Sequence, residues 1–242
     1  MGRLYVREKM THGKLFVIAT PIGNLGDITF RAVETLKFVD FIICEDTRVT
    51  SILLHHFEIS KPLVVINAHN ESKSLERVVE RISANESAAL VSDAGTPCIS
   101  DPGVRLVNFA IEKGIEVVGI PGVNAAIMAL SISGLPTDSF AFEGFLPQKK
   151  GRQKKLQQLA EEERTIVLYE STYRIEKLLE ELREYMPQRQ IVVGRELTKK
   201  FEETWRGTAE EILTDFEKKN TKGEFVVIIA PPSWKKADSE SL

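Results

Sequence analysis

The sequence predicts an α/β protein of two units, the first built on a mostly parallel sheet and the second on a mixed one. Three observations predict it. First, short apolar runs at 15–19, 41–44, 63–66, 88–91 and 116–120 alternate with amphipathic stretches. Strands buried on both faces need such near-continuous apolar runs, and helical crossovers join parallel strands. Second, Gly134, Leu135, Pro136 and Thr137 interrupt the pattern and read as a hinge. Third, the alternation resumes beyond the hinge with strands close enough in sequence for hairpins, hence a mixed sheet. The expected units are 14–135 and 136–231. Residues 1–13 and 232–242 lack apolar periodicity and read as flexible ends, with Met10 an alternative start to Met1.

In chain order, strand 15–19 runs into the loop 20–27. Phe30, Val33 and Leu36 then make one face of a helix, with Thr29 as its N-cap. Strand 41–44 ends in Glu45, Asp46, Thr47 and Arg48, and helix 49–57 follows. Strand 63–66 ends in Asn67 to Glu71 and leads to an amphipathic helix at 74–82. Strand 88–91 opens the densest turn chemistry in the chain: Ser92, Asp93, Gly95, Thr96, Pro97, Ser100, Asp101, Pro102 and Gly103. Gly permits positive φ and Pro fixes φ, so this is an ordered loop before the helix at 104. Strand 116–120, a Pro121-Gly122 turn and helix 124–132 close the first half. The second half reads as strand 140–145, a basic stretch 148–155, strand 165–169, helix 175–185, strand 190–194, a short strand 202–207, helix 208–216 and strand 224–230. Thr208 and Glu211 have capping-box spacing.

The balance of residues narrows the class. With 43% hydrophobic and 28% charged residues, the chain is ordinary for a soluble globular protein. No apolar run approaches the ~18 residues of a membrane span, and the N-terminus does not read as a signal peptide. Cys44 and Cys98 have no metal-ligand or CxxC spacing. Reduced thiols in a cytoplasmic protein are the expectation. A net charge of −3 is not a global nucleic-acid signature, so any RNA contact needs a local basic patch. Lys149, Lys150, Arg152, Lys154 and Lys155 form one, with Arg48 and Arg174 as further candidates for phosphate contact. A solvated helix start is the plain alternative.

Several chemistries lack their residues. There is no GxG, no GxxxxGK[ST] and no HExxH, so the dinucleotide, P-loop and zincin patterns are missing. What remains is a row of loops at strand ends, 20–27, 45–48, 69–71, 92–103 and 121–124. In a parallel sheet these share one edge, where ligands bind. Glu45, Asp46, Asp93 and Asp101 would suit a cationic cofactor. A metal-dependent phosphohydrolase is one alternative built on the same carboxylates, and a non-catalytic RNA-binding module is another.

The strings TPIGNLGDIT, EDTR, HNE, SDAGTPCISDPG, IPG, EGFLPQKKG, YES and RELTK occur in that order. Together, over roughly 14–231, they resemble the tetrapyrrole-methylase superfamily, and within it the ribose 2′-O-methyltransferases of small-subunit ribosomal RNA. Cys44 and the pair Thr172-Tyr173 depart from the family pattern, which has alanine and Pro-His there. The resemblance implies S-adenosylmethionine as methyl donor, a homodimer, two α/β domains with the cofactor in the cleft between them, and a cytidine ribose of the decoding region as acceptor; no metal ligands are assigned. A tetrapyrrole or a protein as acceptor is the alternative within the superfamily. The resemblance also implies cofactor contacts from Pro21, Asp93, Gly95, Thr96, Ile99, Ser100, Asn124, Ala125, Tyr169, Leu197 and Phe225. Ile99 and Phe225 have core packing as their plain reading. For the proton on the 2′-hydroxyl, Lys199 near Arg195 is expected to have a lowered pKa and act as base, with Glu196 orienting it; a salt bridge or a solvated charge cluster is the plain alternative.

Overall fold

The computed structural model describes residues 13–66 and 71–235. It divides into two compact units, one up to Asn124 and one from Ala125.

The first unit is a five-stranded sheet in the order β3-β2-β4-β1-β5. Its strands are β1 (Lys14–Ile18), β2 (Phe41–Cys44), β3 (Leu63–Val65), β4 (Ala88–Leu90) and β5 (Glu116–Ile120). Every pairing is parallel. Side-chain alternation explains why the runs are apolar throughout. Phe41 and Ile43 enter one core with Leu75, Val78, Ile82 and Leu106. Ile42 and Cys44 enter the opposite core with Ala32, Leu36 and Leu54. The helices α1 (Phe30–Phe38) and α2 (Thr47–His56) therefore cover one face, and α3 (Glu71–Ser83) and α4 (Val104–Glu112) the other. Thr29 caps α1 by accepting from the Ala32 N–H, as its position in the sequence predicts. Asp101 does not cap α4: the cap is Gly103 at φ 118, with no side-chain bond.

The second unit begins with α5 (Ala125–Ser133), which packs on β7 (Thr165–Ser171) and β10 (Glu224–Ile229). That packing places the division ahead of the hinge expected at 134–137. The sheet order is β6-β7-β10-β8-β9, with β6 (Phe140–Phe145), β8 (Ile191–Arg195) and β9 (Glu203–Gly207) as the other strands. Only β6–β7 is parallel; the remaining pairs are antiparallel, so this sheet is mixed. The helices α6 (Arg152–Ala160), α7 (Ile175–Tyr185) and α8 (Ala209–Thr214) contribute Leu156, Leu159, Leu178, Leu182 and Ile212 to its core. Thr208 and Glu211 form the expected capping box. Helix α6 begins inside the basic stretch 148–155, as the plain alternative of a helix start has it. Two leucines, Leu156 and Leu159, are enough to seat it.

Candidate functional site

Parallel pairing puts the carboxyl ends of β1, β2, β4 and β5 on one edge of the first sheet, and hydrogen bonds lace the loops there together. Thr20 and Gly95 exchange main-chain bonds of 2.8 and 3.0 Å, tying the β1 loop to the β4 loop. The Thr20 hydroxyl also donates to Ser92 O at 3.2 Å. The Asp46 N–H donates to Asp93 Oδ1 at 3.2 Å, joining β2 to β4. The Thr96 hydroxyl donates to Val123 O at 3.0 Å, joining β4 to β5. Pro21, Asp93, Gly95, Thr96 and Asn124 are thus brought onto one rim. His69 and Asn70 of the HNE string lie outside the described residues.

The rim is strained as well as laced. Gly95 has φ 81, and Cys98 and Ser100, at φ 70 and 63, adopt the left-handed region without being glycine. Such residues cost about 1–3 kcal/mol each and cluster at functional sites. A Cβ on Gly95 would lie 3.2 Å from Ile22 Cγ2, and one on Gly122 would lie 2.9 Å from Ala19 Cβ. Both glycines let the loop backbone pass close to a neighbouring side chain, Ile22 or Ala19. Ile99 is 41% exposed on this loop, so it is not the core residue its type suggests.

The electrostatics are acidic. Burial, with Asp101 and Asp93 nearby, raises the Glu45 carboxyl to about 7, and one of its oxygens is buried with no partner. Burial also raises Asp93, against the hydrogen bond from Asp46 N–H that lowers it. Asp101 is raised by burial and by Asp93, with a hydrogen bond to Ser92 pulling the other way. Asp46 is the exception: Arg48 bonds its carboxylate and holds it at about 2. Crowded carboxyls of this kind favour a positively charged ligand. Among the described residues no three His, Cys, Asp or Glu side chains are grouped to hold a metal ion.

Glu45 makes a pH prediction. Its folded pKa lies above the ordinary carboxyl value of 4.5, so the folded chain holds more protons than the unfolded chain between about pH 4.5 and 7, and stability falls as pH rises through that window. Glu45→Gln has no charge to bury. Its melting temperature is expected to exceed that of the parent at pH 8, with the gap closing towards pH 4. A gap independent of pH would contradict the assignment.

In the second unit the Tyr169 hydroxyl accepts from the Ala126 N–H at 3.3 Å, and its ring meets Phe142 and Phe145 edge-on. Tyr169 therefore sits beside the start of α5, next to Ala125. Leu197 is buried against Gly194. Phe225 requires a correction. Its ring is 2% exposed within the core, 5.7 Å from Trp205, which leaves only its main chain for any ligand.

Lys199 requires another. Its ammonium donates to Glu196 Oε1 and Glu224 Oε2, both at 2.8 Å. Burial alone would lower its pKa, but the two carboxylates outweigh burial and the net shift is upward. Glu196 moves down: burial raises it, and the bonds from Lys199 and the Glu224 N–H more than offset that. The lowered pKa expected of Lys199 is not found: its two carboxylate partners favour the charged form.

The basic run separates into two classes. Lys149, Lys150 and Lys154 are exposed. Arg152 is 4% exposed and buries its guanidinium against Glu181 of α7, at 2.9 Å, and Pro147 O, at 3.1 Å. It is a packing residue, not a phosphate ligand. Lys155 pairs with Glu143. Arg174 neutralises the fully buried Glu170 at 2.8 Å and lies over the Phe145 ring. Arg48 is exposed but bonded to Asp46. Sequence reasoning missed Thr172, whose hydroxyl donates to Gly223 O and accepts from Gly223 N–H, both at 2.7 Å. It also missed Glu224, the second partner of Lys199.

Comparisons with known proteins place the chain in a family. A family model described as Tetrapyrrole (Corrin/Porphyrin) Methylases matches residues 14–213. The chain is 50% identical over 220 residues to the ribosomal RNA small subunit methyltransferase I of Synechocystis sp., covering 90% of this chain and 79% of that one. It is 43% identical over 218 residues to the protein of the same name from Thermotoga maritima, covering 90% and 98%. The solved structure of uroporphyrin-III C-methyl transferase from Thermus thermophilus, complexed with S-adenosyl homocysteine, matches with a TM-score of 0.63 at 18% identity, over 90% of this chain and 97% of that one. At that identity the likeness is one of fold. Among the described residues no helix is long and apolar enough to cross a membrane.

Proposed function

This chain belongs to the tetrapyrrole (corrin/porphyrin) methylase family, and from that premise we propose that it transfers a methyl group from S-adenosylmethionine to the 2′-oxygen of a cytidine ribose in the decoding region of small-subunit ribosomal RNA. The observation that carries the reading is identity of 43–50% over 90% of the chain to proteins named for methylating small-subunit ribosomal RNA.

The rim of the first sheet suits the cofactor. Gly95 and Gly122 let the loops pack closely on Ile22 and Ala19, which fixes the rim's shape, and the carboxyls of Glu45, Asp93 and Asp101 favour positive charge. Pro21, Asp93, Gly95, Thr96, Ile99, Ser100 and Asn124 would hold it there. In the second unit, Ala125, Tyr169, Leu197 and the Phe225 main chain are the candidate cofactor contacts. S-adenosylmethionine supplies, when bound, an electrophilic methyl on a sulfonium sulfur. Orientation then does much of the work, with effective molarities reaching about 10⁵–10⁸ M.

The acceptor hydroxyl has to lose its proton, which passes to water as its oxygen takes the methyl and the sulfur keeps the electron pair of the broken bond. Lys199, held charged by Glu196 and Glu224, stabilises the negative charge that grows on the 2′-oxygen as that proton leaves. Lys149, Lys150 and Lys154 contact phosphates, which position RNA without reading its sequence. The enzyme works as a homodimer in the cytoplasm. Exposed apolar side chains such as Phe30 at 92% and Ile52 at 66% support association, and two free cysteines suit a reducing compartment.

Incubation with methyl-labelled cofactor tests the reaction. Label is expected in small-subunit ribosomal RNA, recovered after digestion as 2′-O-methylcytidine. Label on a nucleobase, or transfer to a porphyrin precursor and not to RNA, would reject the proposal.

A further inference from the structure

We propose that Arg195 is a positioning residue for methyl transfer: one buried guanidinium clamps the loop after β8 to the loop before β10 and thereby fixes the turn that carries Glu196 and Lys199. This rests on the reading above that Lys199 serves the reaction.

Arg195 closes β8 and is 2% exposed, among the largest fully buried side chains in the protein. Its Nη1 donates to Lys222 O at 2.7 Å. Its Nη2 donates to Phe201 O at 2.8 Å and to Glu203 Oε1 at 3.0 Å, and its Nε to Glu203 Oε2 at 3.3 Å. These acceptors come from two loops and from β9. A planar fork of donors can reach them together, whereas an ammonium is a single point at the end of a flexible stem.

The clamped turn needs holding. Glu196 and Thr198 both have positive φ, 49 and 66. For a β-branched threonine this is a genuine outlier, and the Thr198 hydroxyl is buried without a partner. The neighbouring loop is shaped to receive the turn. Gly223 has φ 129, and a Cβ there would lie 2.5 Å from Glu196 Cγ. Glu196 N–H donates to Glu224 O at 3.0 Å, and Glu224 N–H returns a bond to Glu196 Oε1 at 3.0 Å. The outcome is an ammonium pinned between two carboxylates at a fixed point. If only stability were at stake, apolar residues of similar volume would often serve as well as a buried ion pair. Strain at Glu196 and Thr198, joined to a buried clamp on the same turn, points to a constraint on where Lys199 sits.

A double-mutant cycle tests this. Initial rates of methyl transfer to small-subunit ribosomal RNA, at saturating S-adenosylmethionine, are measured for the parent, R195K, K199M and the double variant, with melting curves for each. R195K is expected to lower kcat about 10²-fold, the scale of a misplacement near 1 Å. In the K199M background it should cause no further loss, because the group it positions is gone. Losses that multiply, or an unchanged kcat in R195K, would overturn the proposal and leave Arg195 structural. Should R195K fail to fold, E203Q weakens the clamp while keeping shape and one acceptor. It should lower kcat several-fold in the parent and not in K199M, and equal loss in both backgrounds would overturn the proposal. A parent that methylates no RNA refutes the reaction itself, and an unaffected K199M refutes the role of Lys199. Either result removes this proposal too, and the parent and K199M arms tell the two apart from a failure of Arg195 alone.

Discussion

Replacing Arg152 with alanine is expected to destabilise the protein by roughly 3–5 kcal/mol, because it strands the Glu181 carboxylate after removing its buried partner. The two side chains are only 5% and 16% exposed. The guanidinium also caps Pro147 O at 3.1 Å, so the chain entering α6 loosens with it. For a unit of this size the loss corresponds to a fall in melting temperature on the order of 10 °C. Neutralising Lys149, Lys150 and Lys154 together should leave the melting temperature nearly unchanged, since all three are exposed. It should instead weaken RNA binding and lower the slope of log affinity against log salt by about 2. The contrast is the test: thermal melts and salt-dependent RNA binding on both variants. A stable R152A with a reduced salt slope would return Arg152 to the phosphate-binding group and refute the division of this run.

The second large effect is at Gly95. Gly95→Val places a β-branched residue at φ 81, where its Cβ meets Ile22 Cγ2 at 3.2 Å. The left-handed region costs such residues more than most. The nearest relief is to break the paired Thr20–Gly95 main-chain bonds, which parts the β1 loop from the β4 loop. The sheet does not depend on that bridge, since β1 pairs with β4 and β5 through its own length. The expected variant therefore folds but has lost the rim's shape, and its affinity for S-adenosylmethionine falls at least ~100-fold, or about 2.7 kcal/mol. Titration of the variant alongside its melting curve checks this. Undiminished binding would show that the 92–103 loop is not the cofactor's.

The fold was legible for a physical reason. Strands such as 41–44 and 88–90 are buried on both faces, so burial alone dictates their composition and no knowledge of partners is needed. Caps at Thr29 and Thr208 were legible because their bonds reach only three residues ahead. What the sequence hid depends on distant partners. A charged run looks the same whether its members face water or an acid on another helix, and Glu181 lies far along the chain from Arg152. The state of Lys199 turns on Glu224, which meets it only because β8 and β10 pair. Phe225 belongs to a run whose alternate residues face the core, and nothing local distinguishes it from a ligand contact. The rim loops were visible as turn chemistry, but their lacing through Thr20, Thr96 and Asp93 arises from the strand order, which composition does not reveal.

The most direct measurement is calorimetric titration of the full chain with S-adenosylmethionine alone, with RNA left out and a chelator present. The account predicts saturable binding that the chelator does not alter and that Gly95→Val removes. An absence of binding heat at any temperature tried, or binding that disappears with the chelator, would contradict it.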